Sequence, residues 1–308
     1  MALRVAKTLW QVKFGYLQVP VFPQSLCPFL FSYTEALSPS QATQPTLLRA
    51  IDIYLPTQTT KRAIETPTMP IYAITGANRG LGLEFTRQLS STSSNTVLAL
   101  TRSLSSDLTD LNALNKHSNI HILECDTGDV TSIKSFVKEA AKTLSGKKLD
   151  YLFNNAGINS VPEQGSLTID PADLDEQIRV NVIGPAKTTE YLLEADLLSP
   201  NAVILNMTSG LGSNAVSKSI EPRKCATYSI SKAALNMLTV HQSGDLRAKL
   251  PGCVVVCMDP GWVKTRMGGE GAVLEPEESI GGMLKTVHGL GKEDTGKFYT
   301  YTGKEVPW

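Results

Sequence analysis

Residues 69–82 read Met69-Pro70-Ile71-Tyr72-Ala73-Ile74-Thr75-Gly76-Ala77-Asn78-Arg79-Gly80-Leu81-Gly82. A short apolar run stops at a glycine cluster, and helical spacing of apolar residues follows at once over 83–89. A continuous rather than alternating apolar run suits a strand buried on both faces. Glycines at a strand-to-helix turn let the backbone approach a phosphate whose charge sits on the helix N-terminus. The spacing Gly-x-x-x-Gly-x-Gly differs from G-x-G-x-x-G and lacks the Gly-Lys-Ser/Thr of a P-loop. Alone, the stretch reads equally well as an ordinary tight turn. Its surroundings decide.

Further runs rich in Val, Ile and Leu recur at 97–101, 120–124, 149–154, 203–208 and 253–258, with a candidate edge strand at 298–301. Helical spacing fills 133–144 and 226–250, and Asp170-Pro171 opens a long helix with a capping residue followed by proline. Strands alternating with helices predict an α/β fold, a doubly wound parallel sheet in one domain over 69–308. Residues 1–68 differ: they hold 7 of the 17 prolines but only 1 of the 23 glycines. We prefer Met69 as the natural start. A disordered or loosely docked extension is the second reading. The third is a mitochondrial leader, since Arg4, Lys7 and Lys13 precede any acid.

The 29 basic and 29 acidic side chains cancel, so the charge points to neither nucleic acid nor an anionic membrane surface. Five cysteines form no C-x-x-C pair and four histidines no H-x-x-x-H pair, so no metal site is expected. The thiols read as reduced and mostly buried, which suits a cytoplasmic protein. No run of 18 apolar residues could span a membrane.

The second strand ends at Thr101-Arg102, where an NAD site places an acid to hold the ribose 2′-OH. Arg102, with Arg79 in the glycine turn, suits a 2′-phosphate instead, so NADP(H) is expected. Asp126 ends the third strand; it either accepts from an adenine amino group or caps the next helix. Asn155-Ala156-Gly157 ends the fourth and allows a flat ring close approach, or is simply a turn. Pro260, Gly261, Val263 and Thr265 follow the sixth strand, with the Val263 backbone and Thr265 hydroxyl placed to fix a carboxamide. Residues 266–278, with three glycines, read as a small lid, and Glu275-Pro276-Glu277-Glu278 as the start of a short helix.

Tyr228 and Lys232 stand four apart near a helix start and so share a face. A free tyrosine titrates near pH ~10. A neighbouring ammonium and an oxidised nicotinamide would bring it toward neutrality. Ser209 ends the fifth strand, able to bond a carbonyl oxygen that becomes an alkoxide; no G-x-S-x-G elbow marks it as a hydrolase nucleophile. Pro185 lacks an amide hydrogen, so it leaves the Asn181 carbonyl without its helical partner and open to an ordered water. Each feature also has a plain structural reading.

In this order, Thr-Gly-x-x-x-Gly-x-Gly at 75–82, Asn-Asn-Ala-Gly at 154–157, Asn181, Ser209, Tyr-x-x-x-Lys at 228–232 and Pro-Gly at 260–261 resemble the short-chain dehydrogenase/reductase family. The resemblance runs from about residue 70 to the C-terminus. The wording at 261–269 and 303–308 is similar to the C-factor and sniffer-type carbonyl reductases. It implies a Rossmann-type domain and a tetrad of Asn181, Ser209, Tyr228 and Lys232. In that tetrad Tyr228 is the acid, Ser209 holds the carbonyl, Lys232 binds the ribose and lowers the phenol's pKa, and Asn181 holds a relay water. The cofactor contacts expected are Gly76, Asn78, Arg79, Gly80, Leu81, Gly82, Arg102, Asp126, Asn155, Ala156, Gly157, Tyr228, Lys232, Pro260, Gly261, Val263 and Thr265. The implied activity is NADPH-dependent reduction of a small-molecule ketone or aldehyde, or the reverse. A reductase of activated carbon–carbon double bonds and a non-catalytic NADP(H) sensor are the alternatives. A homodimer or homotetramer, paired through the helices of Asn181 and Tyr228, is implied too. One departure is visible: Ser209 and Tyr228 lie 19 apart, with a polar insertion over 214–224.

Overall fold

The computed structural model describes residues 69–308, so the readings for residues 1–68 lie outside the described residues. Seven strands, β1 (Ile71–Thr75), β2 (Thr96–Thr101), β3 (Ile120–Glu124), β4 (Leu149–Asn154), β5 (Leu198–Met207), β6 (Val254–Asp259) and β7 (Phe298–Thr300), form one sheet. Its order is β3-β2-β1-β4-β5-β6-β7, with every pairing parallel. The chain leaves β1 toward β2 and β3, then returns to the other side of β1 at β4. That reversal opens a crevice at the C-terminal ends of β1 and β4, where ligands of such sheets bind.

Helices α1 (Gly80–Ser90), α2 (Thr109–Ala113), α3 (Val130–Leu144), α4 (Pro171–Ile178), α5 (Gly184–Glu194), α6 (Asn214–Ser217), α7 (Ala226–Lys249) and α8 (Pro276–His288) complete the fold. Alternate residues of each strand face opposite layers. Tyr72 and Ile74 of β1 join Phe85 of α1 and Met283 of α8 in one buried cluster. Ile71 and Ala73 join Phe136 of α3, Leu192 of α5 and Leu246 of α7 in another. Both faces of the sheet are therefore covered, which is why its strands are continuous apolar runs.

The structure refines several expected boundaries. β5 begins early, at Leu198, because Leu149 pairs with Leu198 before a register shift lets Tyr151 pair with Val203. β6 lies one residue later than expected and so includes Asp259. Asp170 caps α4 by accepting from the Ala172 amide, as its sequence suggests. The long helix it opens is not uniform: Arg179–Ile183 form a π-helical turn, with the Gly184 amide donating to the Arg179 carbonyl. Pro185 forces this widening, since it cannot supply the next amide of an α-helical ladder. The helix begun by Pro276 is not short but 13 residues long. Just before the polar stretch 214–224, Ser213 accepts from the Val216 amide and caps the single turn of α6.

Adjacent glycines in α8 differ in their surroundings. A β-carbon at Gly282 would lie 2.7 Å from the Tyr301 carbonyl oxygen, whereas one at Gly281 would meet only the flexible end of Gln88 at 3.8 Å. Alanine is a better helix former than glycine by about 1 kcal/mol. In urea unfolding, Gly281→Ala should therefore stabilise the protein by up to about 1 kcal/mol, and Gly282→Ala should destabilise it by about 1–3 kcal/mol. Equal effects of the two substitutions would contradict this packing.

Candidate active site

The glycine turn is built so that backbone, not side chains, fills it. Gly76 and Gly80 have φ of +68° and +55°, a region costly for residues with a β-carbon. A β-carbon at Gly82 would collide with the Gly76 carbonyl oxygen and stand 2.7 Å from Asn155 Nδ2. Asn155 Nδ2 donates to the Thr75 carbonyl at 2.8 Å, and the Ala156 amide donates to Thr75 Oγ1 at 2.9 Å. The end of β4 thus packs directly on the turn. α1 starts there with no side-chain cap, leaving its N-terminal amides turned to the crevice. This uncapped helix behind a cradle of bare backbone fits a pyrophosphate.

Arg102 is exposed just past the buried Thr101, and Arg79 is exposed at the start of α1. The Ala77 amide donates to the Leu100 carbonyl at 2.9 Å, tying the glycine turn to the end of β2. Among the described residues neither arginine belongs to an ion pair. Asp126 does not cap α3; Asp129 does, accepting from the Thr131 amide. Asp126 Oδ1 instead accepts from the Gly128 amide at 2.9 Å, which holds the carboxylate at the sheet edge.

Beyond β4, Gly157 lets three elements meet. A β-carbon there would lie 3.2 Å from Asn181 Oδ1 and 3.3 Å from Lys232 Nζ. The buried Asn181 side chain accepts from the Ile158 amide and donates to the Ile158 carbonyl and to Ser231 Oγ, at 2.8, 2.9 and 2.9 Å. Its side chain is thus fully used as a clamp. The main-chain carbonyl is the part that Pro185 leaves without a helical donor.

Lys232 is 3% exposed, and its Nζ donates to the Met207 carbonyl at 2.8 Å while standing 5.5 Å from the centre of the Tyr228 ring. Desolvation pushes its pKa down to about 7. The half-buried Tyr228 moves the other way. Burial raises its phenol above the ordinary range, followed by Asp259 and Cys225, while Ser209 acts in the opposite direction. The lowering expected of Lys232 acts together with a bound oxidised nicotinamide; in the protein alone, burial is the first cause acting on the phenol and it acts upward.

Ser209 Oγ also accepts from the Leu211 amide at 3.2 Å, starting the short turn Gly210–Gly212. Val263 is buried and bridges to Leu274, which closes the base of the loop between them. The Thr265 hydroxyl accepts from the Gly268 amide at 3.1 Å, inside its own loop. A β-carbon on Gly80 would lie 3.7 Å from the Thr265 methyl group, so Thr265 adjoins the glycine turn. Pro260 is held by Ser279 of α8, whose hydroxyl donates to the Pro260 carbonyl at 2.7 Å.

Two features escaped sequence reasoning. Asp259 sits between Ser209 and Pro260-Gly261; a carboxylate at the end of a buried strand was the available signal. The tail is the other: Ser213 Oγ donates to the Pro307 carbonyl at 2.5 Å and the Ala215 amide to the Trp308 carbonyl at 3.1 Å. Nothing local in the sequence marks that docking. Among the described residues the four cysteines are unpaired, Cys225 being the half-buried one. No cluster there could hold a metal, and no helix is long and apolar enough to cross a membrane.

A family model described as short chain dehydrogenase matches residues 70–272. The short chain dehydrogenase virK of Hypocrea virens is 32% identical over 226 residues, covering 70% of this chain and 82% of that protein. The NADPH-bound carbonyl reductase from chicken fatty liver superposes with a TM-score of 0.71 at 32% identity, over 79% of this chain and 100% of that one. The carbonyl reductase Sniffer of D. melanogaster gives 0.68 at 31% identity, over 78% and 99%.

The buried lysine carries a stability signature. Its folded pKa lies below its unfolded value of 10.5, so the unfolded chain binds more protons between about pH 7 and 10.5. Folding is therefore penalised at low pH, and the penalty lifts as pH rises. Relative to Lys232→Met, the wild type should gain about 2 kcal/mol of stability from pH 7 to 9 in urea unfolding. A flat difference would mean that the ammonium keeps its ordinary proton affinity.

Proposed function

The chain belongs to the short chain dehydrogenase family, and from that premise we propose that it is an NADPH-dependent reductase of aldehydes or ketones, also able to run the reverse oxidation. The observation that carries this reading is Lys232 beside Tyr228 at the C-terminal edge of the sheet, its Nζ 5.5 Å from the centre of the ring and bonded to the carbonyl of Met207, two residues before Ser209. When bound, NADPH supplies the hydride for the carbonyl carbon.

The chain's own groups do the rest. Gly76, Asn78, Gly80, Leu81 and Gly82 would hold the pyrophosphate, with Asp126 at the adenine. Asn155, Ala156, Gly157, Pro260, Gly261, Val263 and Thr265 would line the ring and its carboxamide. Ser209 donates a hydrogen bond to the substrate oxygen, and Tyr228 transfers its proton as that oxygen gains charge. A phenol whose pKa is raised by burial starts this step protonated, which suits reduction. Lys232, with a pKa near 7, can hand a proton on to the phenolate and bond the ribose hydroxyls. The Asn181 carbonyl holds the water that resupplies it. Arg79 and Arg102, exposed and free of ion pairs among the described residues, would face the 2′-phosphate. The NADPH in the chicken enzyme's structure supports that choice.

With NADPH and a panel of aromatic and aliphatic aldehydes and ketones, Tyr228→Phe should lower kcat/KM by about 10²–10⁴-fold. Turnover at the wild-type rate would defeat the proposal. Arg102→Asp should shift preference from NADPH toward NADH, read as the ratio of the two kcat/KM values. An unmoved ratio would remove the 2′-phosphate role.

A further inference from the structure

Tyr301 follows β7 directly, and the pairing of Asp259 with Thr300 sets it beside the Pro260-Gly261 turn that follows β6. Opposite edges of its ring meet bare backbone. A β-carbon at Gly261 would stand 3.3 Å from Cε1 and 3.4 Å from Cδ1, and one at Gly282 of α8 would stand 3.0 Å from Cδ2. The ring is thus wedged between the turn and the helix. Leu274 Cδ2 would lie 3.0 Å from the same Gly261 β-carbon, so two side chains pack on this turn. α8 reaches the turn a second time through the fully buried Ser279, whose hydroxyl donates to the Pro260 carbonyl at 2.7 Å. Tyr301 is itself held in a closed turn. The Gly303 amide donates to the Thr300 carbonyl at 3.0 Å and the Thr300 amide to the Lys304 carbonyl at 2.8 Å.

We propose that Ser279 and Tyr301 are positioning residues for the nicotinamide end of the crevice: the hydroxyl of one and the ring of the other hold the Pro260-Gly261 turn in the arrangement that receives the cofactor's ring and carboxamide. The inference rests on the reading of this turn as a cofactor contact. Gly261 has φ of +79° and no side chain of its own to fix it, so what packs on the turn sets its conformation. A turn that samples several arrangements binds only from the fraction in the right one, and apparent affinity falls by that fraction. Removing the Ser279 hydroxyl takes this donor from the Pro260 carbonyl, and removing the Tyr301 ring opens a void between Gly261 and Gly282. Either change loosens the turn. The adenine half of the cofactor is read elsewhere, at the glycine turn after β1 and at the end of β2, so its binding is left alone. A brace that served only the stability of the fold would not separate the two halves of the cofactor.

The test needs no carbonyl substrate. Calorimetry compares two ligands on each protein: NADPH, and adenosine 2′,5′-bisphosphate, which carries the 2′-phosphate but no nicotinamide. Ser279→Ala and Tyr301→Leu should each weaken NADPH binding about 5–10-fold and leave the bisphosphate within about twofold of the wild type. Tyr301→Phe, which keeps the ring, should bind both ligands as the wild type does. An unchanged NADPH affinity in either Ser279→Ala or Tyr301→Leu overturns the proposal. So does an equal loss for both ligands, which reports a general loosening of the fold, and so does a Tyr301→Phe as weak as Tyr301→Leu. Should Tyr301→Leu fail to fold, Tyr301→Met, flexible and without a flat ring, carries the same comparison. A wild type that does not bind NADPH would sink the reading of the crevice itself. Wild-type binding that no substitution moves would sink only the role of Ser279 and Tyr301.

Discussion

The side-chain amide of Asn181 makes three bonds at once, to both main-chain groups of Ile158 and to the hydroxyl of Ser231. Those bonds join the loop after β4, the π-helical turn and the first turns of α7. Ser231 Oγ donates in turn to the Tyr228 carbonyl at 2.7 Å, so the clamp reaches the backbone of the tyrosine itself. Gly157 leaves the gap through which Asn181 and Lys232 approach each other. Buried amides left half-bonded cost about 1–3 kcal/mol each, so a fully satisfied one holds its neighbours in a single arrangement. Tyr228 and Lys232 inherit their geometry from it.

Within that frame, opposite consequences of the same dehydration meet across 5.5 Å. Burial disfavours the charged form of either group, so the lysine loses proton affinity and the tyrosine gains it. The protein alone therefore holds a neutral phenol beside an amine poised near neutrality. Both groups stand in one crevice, each pushed toward its neutral form by loss of water.

The segment between Ser209 and Tyr228 carries the single turn of α6. Its residues are braced by the C-terminal tail. Val306, 7% exposed, packs with Phe298, Cys257 and Val216, and the Trp308 ring lies 5.7 Å from that of Phe298. The tail thereby presses the α6 turn against the edge of the sheet. On the other side, Asn236 Nδ2 donates to the Gly212 carbonyl at 3.0 Å. The mouth of the crevice is thus shaped by three distant parts of the chain, and loops so positioned are where substrate choice resides in folds of this kind.

Most of the sheet was legible because buried parallel strands must be uninterrupted apolar runs, and because glycine and proline act on their own backbone. The turn at 76–82, the cap at Asp170 and the break before Pro185 are all local effects, so local sequence determined them. Side-chain charge states and the docking of the tail were not legible. Lys232 looks like an ordinary cation until β5 and α7 close around it and strip its water. Asp259 looks like the last residue of a strand until Gly210 is brought against it from 49 positions away in sequence. Desolvation and long-range contact have no counterpart in residue spacing; they exist only once the chain has folded.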